Sequence, residues 1–200
     1  ATAQTTANVI TSDFSLFQKS GDNLIPNPNF ESSQYPVPYA TFTTEDAHTG
    51  TQSLKVAFTT TPMYPQPLVG AGGSYRLKTQ PGRAYYYEFW AKGKASNTIY
   101  TGTSEAVSFG FWMYKADGVH YTAIRDVVRW DDLGRDQWVK FSGVKVIPNS
   151  DLMIGGELLV LMYMPLSVNG QVVYLDDFVL RDVTEAYNAQ LDADAAQLDA

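Results

Sequence analysis

The sequence contains no cysteine. That excludes disulfides, thiolate metal sites and a cysteine nucleophile, so the fold must hold without covalent cross-links. Histidine is nearly absent: His48 and His120 stand alone, and neither lies in a motif with a nucleophile. His48 falls in a loop before a strand, where a solvated ring is expected. Basic residues are outnumbered, 14 Lys and Arg against 21 Asp and Glu, for a formal net charge of −7. Nucleic acid, whose phosphates demand a basic surface, is excluded as a partner, and an anionic membrane surface with it. No apolar run reaches the length of about 18 residues that a bilayer-spanning helix needs. Gly70-Ala71-Gly72-Gly73 lacks the Lys-Ser/Thr that completes a phosphate loop, and reads as a surface loop after the proline-rich residues 61–67. Asp131, Asp132 and Asp136 gather in one turn around Gly134. Solvated acids are expected there, whereas glycosidase carboxylates face each other about 5 to 9 Å apart across a cleft. An enzyme is therefore not expected.

What is present is 44% hydrophobic residues, ample for the core of one domain. The stretch around which the chain is organised is residues 85–93, Tyr-Tyr-Tyr-Glu-Phe-Trp-Ala-Lys-Gly. Side chains alternate across a strand, so Tyr85, Tyr87, Phe89 and Ala91 share one face, and Tyr86, Glu88, Trp90 and Lys92 the other. The first set is a core face. The second, aromatic and polar together, suits a ligand or a neighbouring subunit. From residue 23 to about 183, β-branched and aromatic runs alternate with turn clusters, as in an all-β sandwich. Strands are predicted at 40–44, 52–59, 73–78, 83–92, 106–115, 120–130, 137–146, 157–164 and 172–181, the spacing of an antiparallel two-sheet β-sandwich of jelly-roll type. Gln80-Pro81-Gly82, Asp117-Gly118 and Asn169-Gly170 supply turn chemistry between them.

Both flanks differ in texture. Ala3, Ala7, Ile10, Phe14 and Phe17 step by four, three, four and three, the a/d spacing of a coiled-coil seam, and Gly21-Asp22 stops the pattern. Asn188, Leu191, Ala195 and Leu198 step by three, four and three, with Asp182 or Thr184 as N-cap and Glu185 in the first turn. The expected organisation is a helical stem over residues 1–20, a β-domain over 21–183 and a second short helix over 184–200. A lone helix of this length is marginal in water, so the flanks are expected to assemble a homotrimer or dimer, or to pack back on the body. The chain begins Ala-Thr-Ala-Gln and ends on the repeat Gln-Leu-Asp-Ala, which suggests a piece of a longer polypeptide.

Several stretches, in order, resemble carbohydrate-binding modules of the galactose-binding-like β-sandwich type. They are Asn23-Leu24-Ile25-Pro26-Asn27-Pro28-Asn29-Phe30-Glu31, Gly50-Thr51-Gln52-Ser53-Leu54-Lys55-Val56 and Pro81-Gly82-Arg83-Ala84-Tyr85 through Lys92. Trp138-Val139-Lys140-Phe141-Ser142-Gly143 and Tyr174-Leu175-Asp176-Asp177-Phe178-Val179-Leu180 complete the set. The Ala/Asp/Gln-rich flanks are similar to helical stems of bacteriophage tail-fibre or central tail proteins. The first resemblance implies a non-catalytic module that binds a polysaccharide or glycan; the second implies a virion setting facing a bacterial surface. An extracellular ancillary module of a glycoside hydrolase, or a structural decoration domain of the tail packing on neighbouring subunits, are the alternatives. Sugar binding by such modules uses aromatic faces flanked by polar groups. The ligand residues expected are Tyr86, Glu88 and Trp90, with Trp112 and Tyr114 from the strand in which Ser108, Gly110 and Trp112 alternate with Phe109, Phe111 and Met113. The resemblance also implies a structural calcium held by Glu31 and Asp176, with backbone carbonyls around Thr49 to Thr51. Without a cation, Glu31 would cap a turn and Asp176 would accept backbone N–H bonds.

Overall fold

The structure, a computed structural model, describes residues 17, 21–32, 37, 39–58, 69–70, 73–74, 76–94, 105–115, 117–129, 132–133, 135–149, 157–163 and 170–198. The strands are β1 (Thr41–Thr43), β2 (Ser53–Ala57), β3 (Val69–Gly70), β4 (Gly73–Ser74), β5 (Arg76–Lys78), β6 (Ala84–Gly93), β7 (Glu105–Tyr114), β8 (His120–Arg129), β9 (Val139–Val146), β10 (Glu157–Tyr163) and β11 (Val172–Asp182). One helix, α1 (Thr184–Leu198), follows. A five-stranded sheet runs β1-β2-β11-β6-β9, a four-stranded sheet runs β5-β10-β7-β8, and β3 pairs with β4 alone. All these strand pairs are antiparallel.

Alternation in β6 places Tyr85, Tyr87, Phe89 and Ala91 inward, and alternation in β7 does the same for Phe109, Phe111 and Met113. Residues of both sheets share one core cluster. Tyr87 and Phe109 stand 4.4 Å apart across it, and Phe89 stacks on Phe178 at 5.1 Å. Such aromatic pairs contribute about 0.5–1.5 kcal/mol each beyond the area they bury. Gly143 faces Tyr87 in the β6–β9 pair. A Cβ there would lie 2.7–2.9 Å from the Tyr87 ring and hydroxyl, so the side chain of Tyr87 needs a glycine as its neighbour. Its hydroxyl donates to Asp126 on β8 at 2.5 Å, and Lys145 on β9 pairs with the same carboxylate, which ties an edge of one sheet to an edge of the other.

The region read as a glycine-rich surface loop is instead partly ordered: Val69 pairs with Ser74 and Gly70 with Gly73. The predicted strand over 73–78 is divided into β4 and β5. The turn glycines behave as their sequence context demands, with φ of 80° at Gly82, 82° at Gly118 and 86° at Gly170. Of residues 1–20 only Phe17 lies among the described residues; it is helical and buried. At the other flank, Asp182 Oδ1 accepts from Thr184 N at 3.1 Å and from Thr184 Oγ1 at 2.6 Å, which fixes the start of α1.

Candidate functional site

The outer face of the five-stranded sheet carries the residues singled out on β6. Tyr86 is fully buried there, in a second cluster with Phe17, Ala84 and Val183. Its hydroxyl donates to Glu88 at 2.5 Å, and Glu88 also pairs with Lys140 at 2.8 Å. Its ring offers no face to a ligand. Trp90 is half-buried, and the His48 ring lies flat on it, centroids 3.8 Å apart and planes 18° apart. Trp138 meets His48 edge-on at 5.7 Å, and its indole N–H donates to Asp46 at 3.2 Å. Lys92 also pairs with Asp46, at 2.5 Å. His48 is thus a packed ring and not the solvated loop histidine its sequence position suggested.

The loop that roofs this face, residues 44–52, is held by three carboxylates. Asp176 is fully buried and accepts from His48 N at 2.8 Å, Thr49 N at 3.3 Å and Asp177 N at 2.8 Å. Asp177 accepts from His48 Nδ1 at 2.5 Å and from the Thr49 hydroxyl at 2.7 Å. Consecutive residues on a strand normally point to opposite faces. Here the β6–β11 register shifts between Asp176 and Val179, and Asp177 takes a φ of 48°. That bulge turns the second carboxylate to the same loop as the first and lets Phe178 point into the core. Glu31 grips the far end of the loop: Oε1 accepts from Thr51 N at 2.8 Å and Gln52 N at 2.9 Å, and Oε2 from the Thr51 hydroxyl at 2.7 Å. A Cβ on Gly50, where φ is 65°, would fall 2.3 Å from Glu31 Oε1, so both the turn and the close approach require glycine.

These bonds set the electrostatics. The Thr51 hydroxyl, then the N–H groups of Gln52 and Thr51, hold Glu31 below the usual carboxylate range. Burial pushes Asp176 up to about 6, with the neighbouring Asp177 charge adding to it and the N–H bonds opposing. Among the described residues neither Glu31 nor Asp176 forms an ion pair with lysine or arginine. Both oxygens of Asp176 already accept backbone N–H bonds, so a hard cation at this carboxylate would have to share them. No group of three acidic or histidine side chains able to hold a metal gathers among the described residues, so backbone carbonyls would have to complete the shell.

The outer face of the four-stranded sheet is arranged differently. Since Phe109, Phe111 and Met113 face the core, Gly110, Trp112 and Tyr114 face away from it. Register places Glu157 beside Tyr114 and Lys78 beside Glu157, while Arg76 stands in line with Leu159 and Trp112. The Arg76 guanidinium lies over the Tyr114 ring, 3.9 Å from its centroid. Glu157 accepts from Lys78 at 2.6 Å and from Arg76 at 3.4 Å. The Lys78 bond is the main cause that keeps its carboxyl below the usual range. Trp112 and Tyr114 are half-buried, as Trp90 is. The structure therefore separates the expected ligand residues: Tyr86, Glu88 and Trp90 lie on one outer face, Trp112 and Tyr114 on the opposite one. Arg76, Lys78 and Glu157 were not singled out from sequence. Their signal was the alternation Arg-Leu-Lys and Glu-Leu, with Leu77 packed on the core, but the pairing that brings them to Trp112 is not written locally.

No protein-family model matches the chain, and no curated protein matches it. Solved structures do. A family 16 carbohydrate-binding module is similar over 80% of this chain and 100% of its own, at 18% identity and a TM-score of 0.50. An arabinose-bound family GH51 α-L-arabinofuranosidase is similar over 80% of this chain but 26% of its own, at 9% identity and a TM-score of 0.50. The CBM22-1 xylan-binding domain of Paenibacillus barcinonensis Xyn10C is similar over 82% of this chain and 97% of its own, at 19% identity and a TM-score of 0.47. At such identities the likeness is one of fold: this chain has the mostly β, antiparallel architecture of a carbohydrate-binding module.

Proposed function

We propose that the chain is a non-catalytic carbohydrate-binding module of jelly-roll type, and that the glycan lies on the outer face of the four-stranded sheet. The observation that carries this reading is the placement of Trp112 and Tyr114, both only partly buried, on that face with Arg76, Lys78 and Glu157 around them. A pyranose ring stacks its C–H bonds on the Trp112 face, and Arg76, Lys78 and Glu157 hydrogen-bond its hydroxyls. The likeness of fold to a family 16 module supports the same class of ligand. Glu157 is poorly suited to be the general acid of a glycosidase. A general acid needs its pKa raised, whereas Lys78 and Arg76 hold this carboxyl down.

A calcium held by Glu31, Thr51 and Asp176 would supply positive charge to the buried Asp176 and brace the loop that covers Trp90. The setting we propose is a phage tail protein facing a bacterial surface glycan. What supports it is α1, an Ala/Asp/Gln-rich helix with no buried residue. A catalytic glycosidase domain in the same polypeptide would replace that setting and leave the binding reading intact.

The test is binding to a panel of plant and bacterial polysaccharides by wild type, Trp112→Ala and Tyr114→Ala. Trp112→Ala is expected to weaken binding at least tenfold, about 1.4 kcal/mol, with an unchanged melting temperature. Binding that survives both substitutions would overturn the assignment of this face. Binding to none of the polysaccharides would put subunit packing in the place of recognition.

A further inference from the structure

We infer that the glycan taken by the outer face of the four-stranded sheet is anionic: a polymer of uronic-acid sugars whose carboxylate is held by Arg76 and Lys78 beside Trp112. This rests on the reading of that face given above and adds the chemical class of the ligand. The starting point is a local imbalance of charge. Around the outer face of the five-stranded sheet, Lys55, Lys92 and Lys94 are matched by Glu45, Asp46 and Asp136, and Lys140 by Glu88. On the other face Arg76 and Lys78 converge on a single carboxylate, Glu157. Among the described residues no second acid pairs with either. Two cations against one anion leave one positive charge in excess, on a chain whose net charge is −7.

The two cations are placed to meet a second anion. The Tyr114 ring lies 3.9 Å beneath the Arg76 guanidinium and holds it in place without consuming its N–H donors. Among the described residues its one bond to an acceptor is the contact with Glu157 at 3.4 Å, longer than the usual range of about 2.7–3.2 Å. The fork of parallel donors that fits a carboxylate is thus left to a ligand. Lys78 gives Glu157 the shorter bond, 2.6 Å, yet its side chain is 78% exposed and an ammonium has further donors to offer. Register sets Arg76 in line with Leu159 and Trp112, so two ladder spacings, about 10 Å, separate the guanidinium's strand from the stacking ring's. A pyranose stacked on Trp112 bridges that interval when its carboxylate faces β5. On the other side of Trp112, Arg125 takes the register position opposite Gly110. Cationic positions therefore flank the stacking ring on both sides, which suits a polymer with a charge on every sugar. Charge complementarity of this kind selects a partner more than it adds raw affinity.

The net charge of −7 repels any polyanion, so a preference for one must come from these side chains. The probes are alginate, polygalacturonate and hyaluronate, each beside its own carboxyl-reduced, neutral form. They are titrated against wild type, Trp112→Ala, Arg76→Gln, Lys78→Gln and Glu157→Gln, with folding checked by melting. At least one uronate is expected to bind wild type about fivefold tighter than its reduced form. Arg76→Gln and Lys78→Gln should each remove most of that preference and leave the reduced form bound as before. Trp112→Ala should weaken both forms alike. Glu157→Gln, which takes away the competing carboxylate, should tighten uronate binding about twofold. Reduced forms bound as tightly as the uronates, or a preference that survives both Arg76→Gln and Lys78→Gln, would overturn the inference and leave the Trp112 reading standing. Binding to no uronate, with a neutral glycan held through Trp112, would do the same. A uronate preference that Arg76→Gln removes and Trp112→Ala leaves untouched would overturn both, because the ring would then not be stacked on this face.

Discussion

On the outer face of the five-stranded sheet, Tyr86 is sealed under Phe17 and Val183, and Trp90 lies beneath His48. On the outer face of the four-stranded sheet, Trp112 and Tyr114 are half-buried beside the charged side chains of Arg76 and Glu157. Both faces come from the same period-two alternation of aromatic residues, so the strands themselves do not account for the difference. What differs is the material brought over them. A bulge at Asp176–Asp177 and a reach from Glu31 pull one loop across Trp90, and the two flanks meet over Tyr86. What an aromatic residue on a sheet's outer face can do depends on which side chains the rest of the chain packs against it.

This contrast can be broken most sharply at Asp176. Replacing it by alanine strands the N–H groups of His48, Thr49 and Asp177, and Asp176→Ala is expected to cost about 3 kcal/mol in urea unfolding. Glycan binding by the molecules that remain folded should not change. A wild-type unfolding midpoint would mean that the loop is not held from below. A calcium bound at Glu31 and Asp176 would act on the same anchor. A free concentration of 100 times its Kd would raise stability by about 2.7 kcal/mol. Melting with added calcium and with chelator measures this, and coincident transitions would leave the N–H bonds as the sole fastening. Trp90→Ala removes the partner of His48 and should cost about 2 kcal/mol of stability without weakening glycan binding, the converse of Trp112→Ala. If Trp90→Ala abolished binding at unchanged stability, the two faces would have to exchange roles.

The smallest effect concerns pH. Lys78 and Arg76 hold the Glu157 carboxyl below its ordinary value. Its contribution to stability is therefore present above about pH 4.5 and lost as the pH falls through the lowered folded value. Wild type and Glu157→Gln are expected to differ by about 0.5 kcal/mol at pH 7, as half-exposed ion pairs do, and to converge as the pH falls through that lowered value.

Alternation and turn chemistry made much of the framework legible. The strand predicted over 83–92 is β6, and its inward set, Tyr85, Tyr87, Phe89 and Ala91, lies in the shared core. Asp117-Gly118 stands where the chain turns between β7 and β8. Asp182 and Thr184 form the N-cap that their position implied. The site was less legible. Alternation assigned Tyr86 and Trp90 to an outer face correctly, but what covers a face comes from Phe17, His48 and Val183, distant in sequence and unmarked by any local pattern. The second acid of Asp176-Asp177 would point inward on a regular strand, so its grip on His48 depends on a bulge that the sequence does not announce. Arg76 and Glu157 reach Tyr114 only through the order β5-β10-β7, a property of sheet assembly.

The entry of the chain alongside its last strand also determines how the module responds to force. Asn23 and Leu24 are hydrogen-bonded to Phe178 and Leu180, and Pro28 accepts from Phe178. The first residues of the body are thus zipped against the end of β11, with Gly21 beside Asp182. Tension applied to both flanks from one side loads these bonds one after another, as in peeling, together with the Asp182 end of the β6–β11 ladder. The chain would lengthen at this seam by about 3.3 Å for each residue released, so a tethered module would yield first where its two flanks meet.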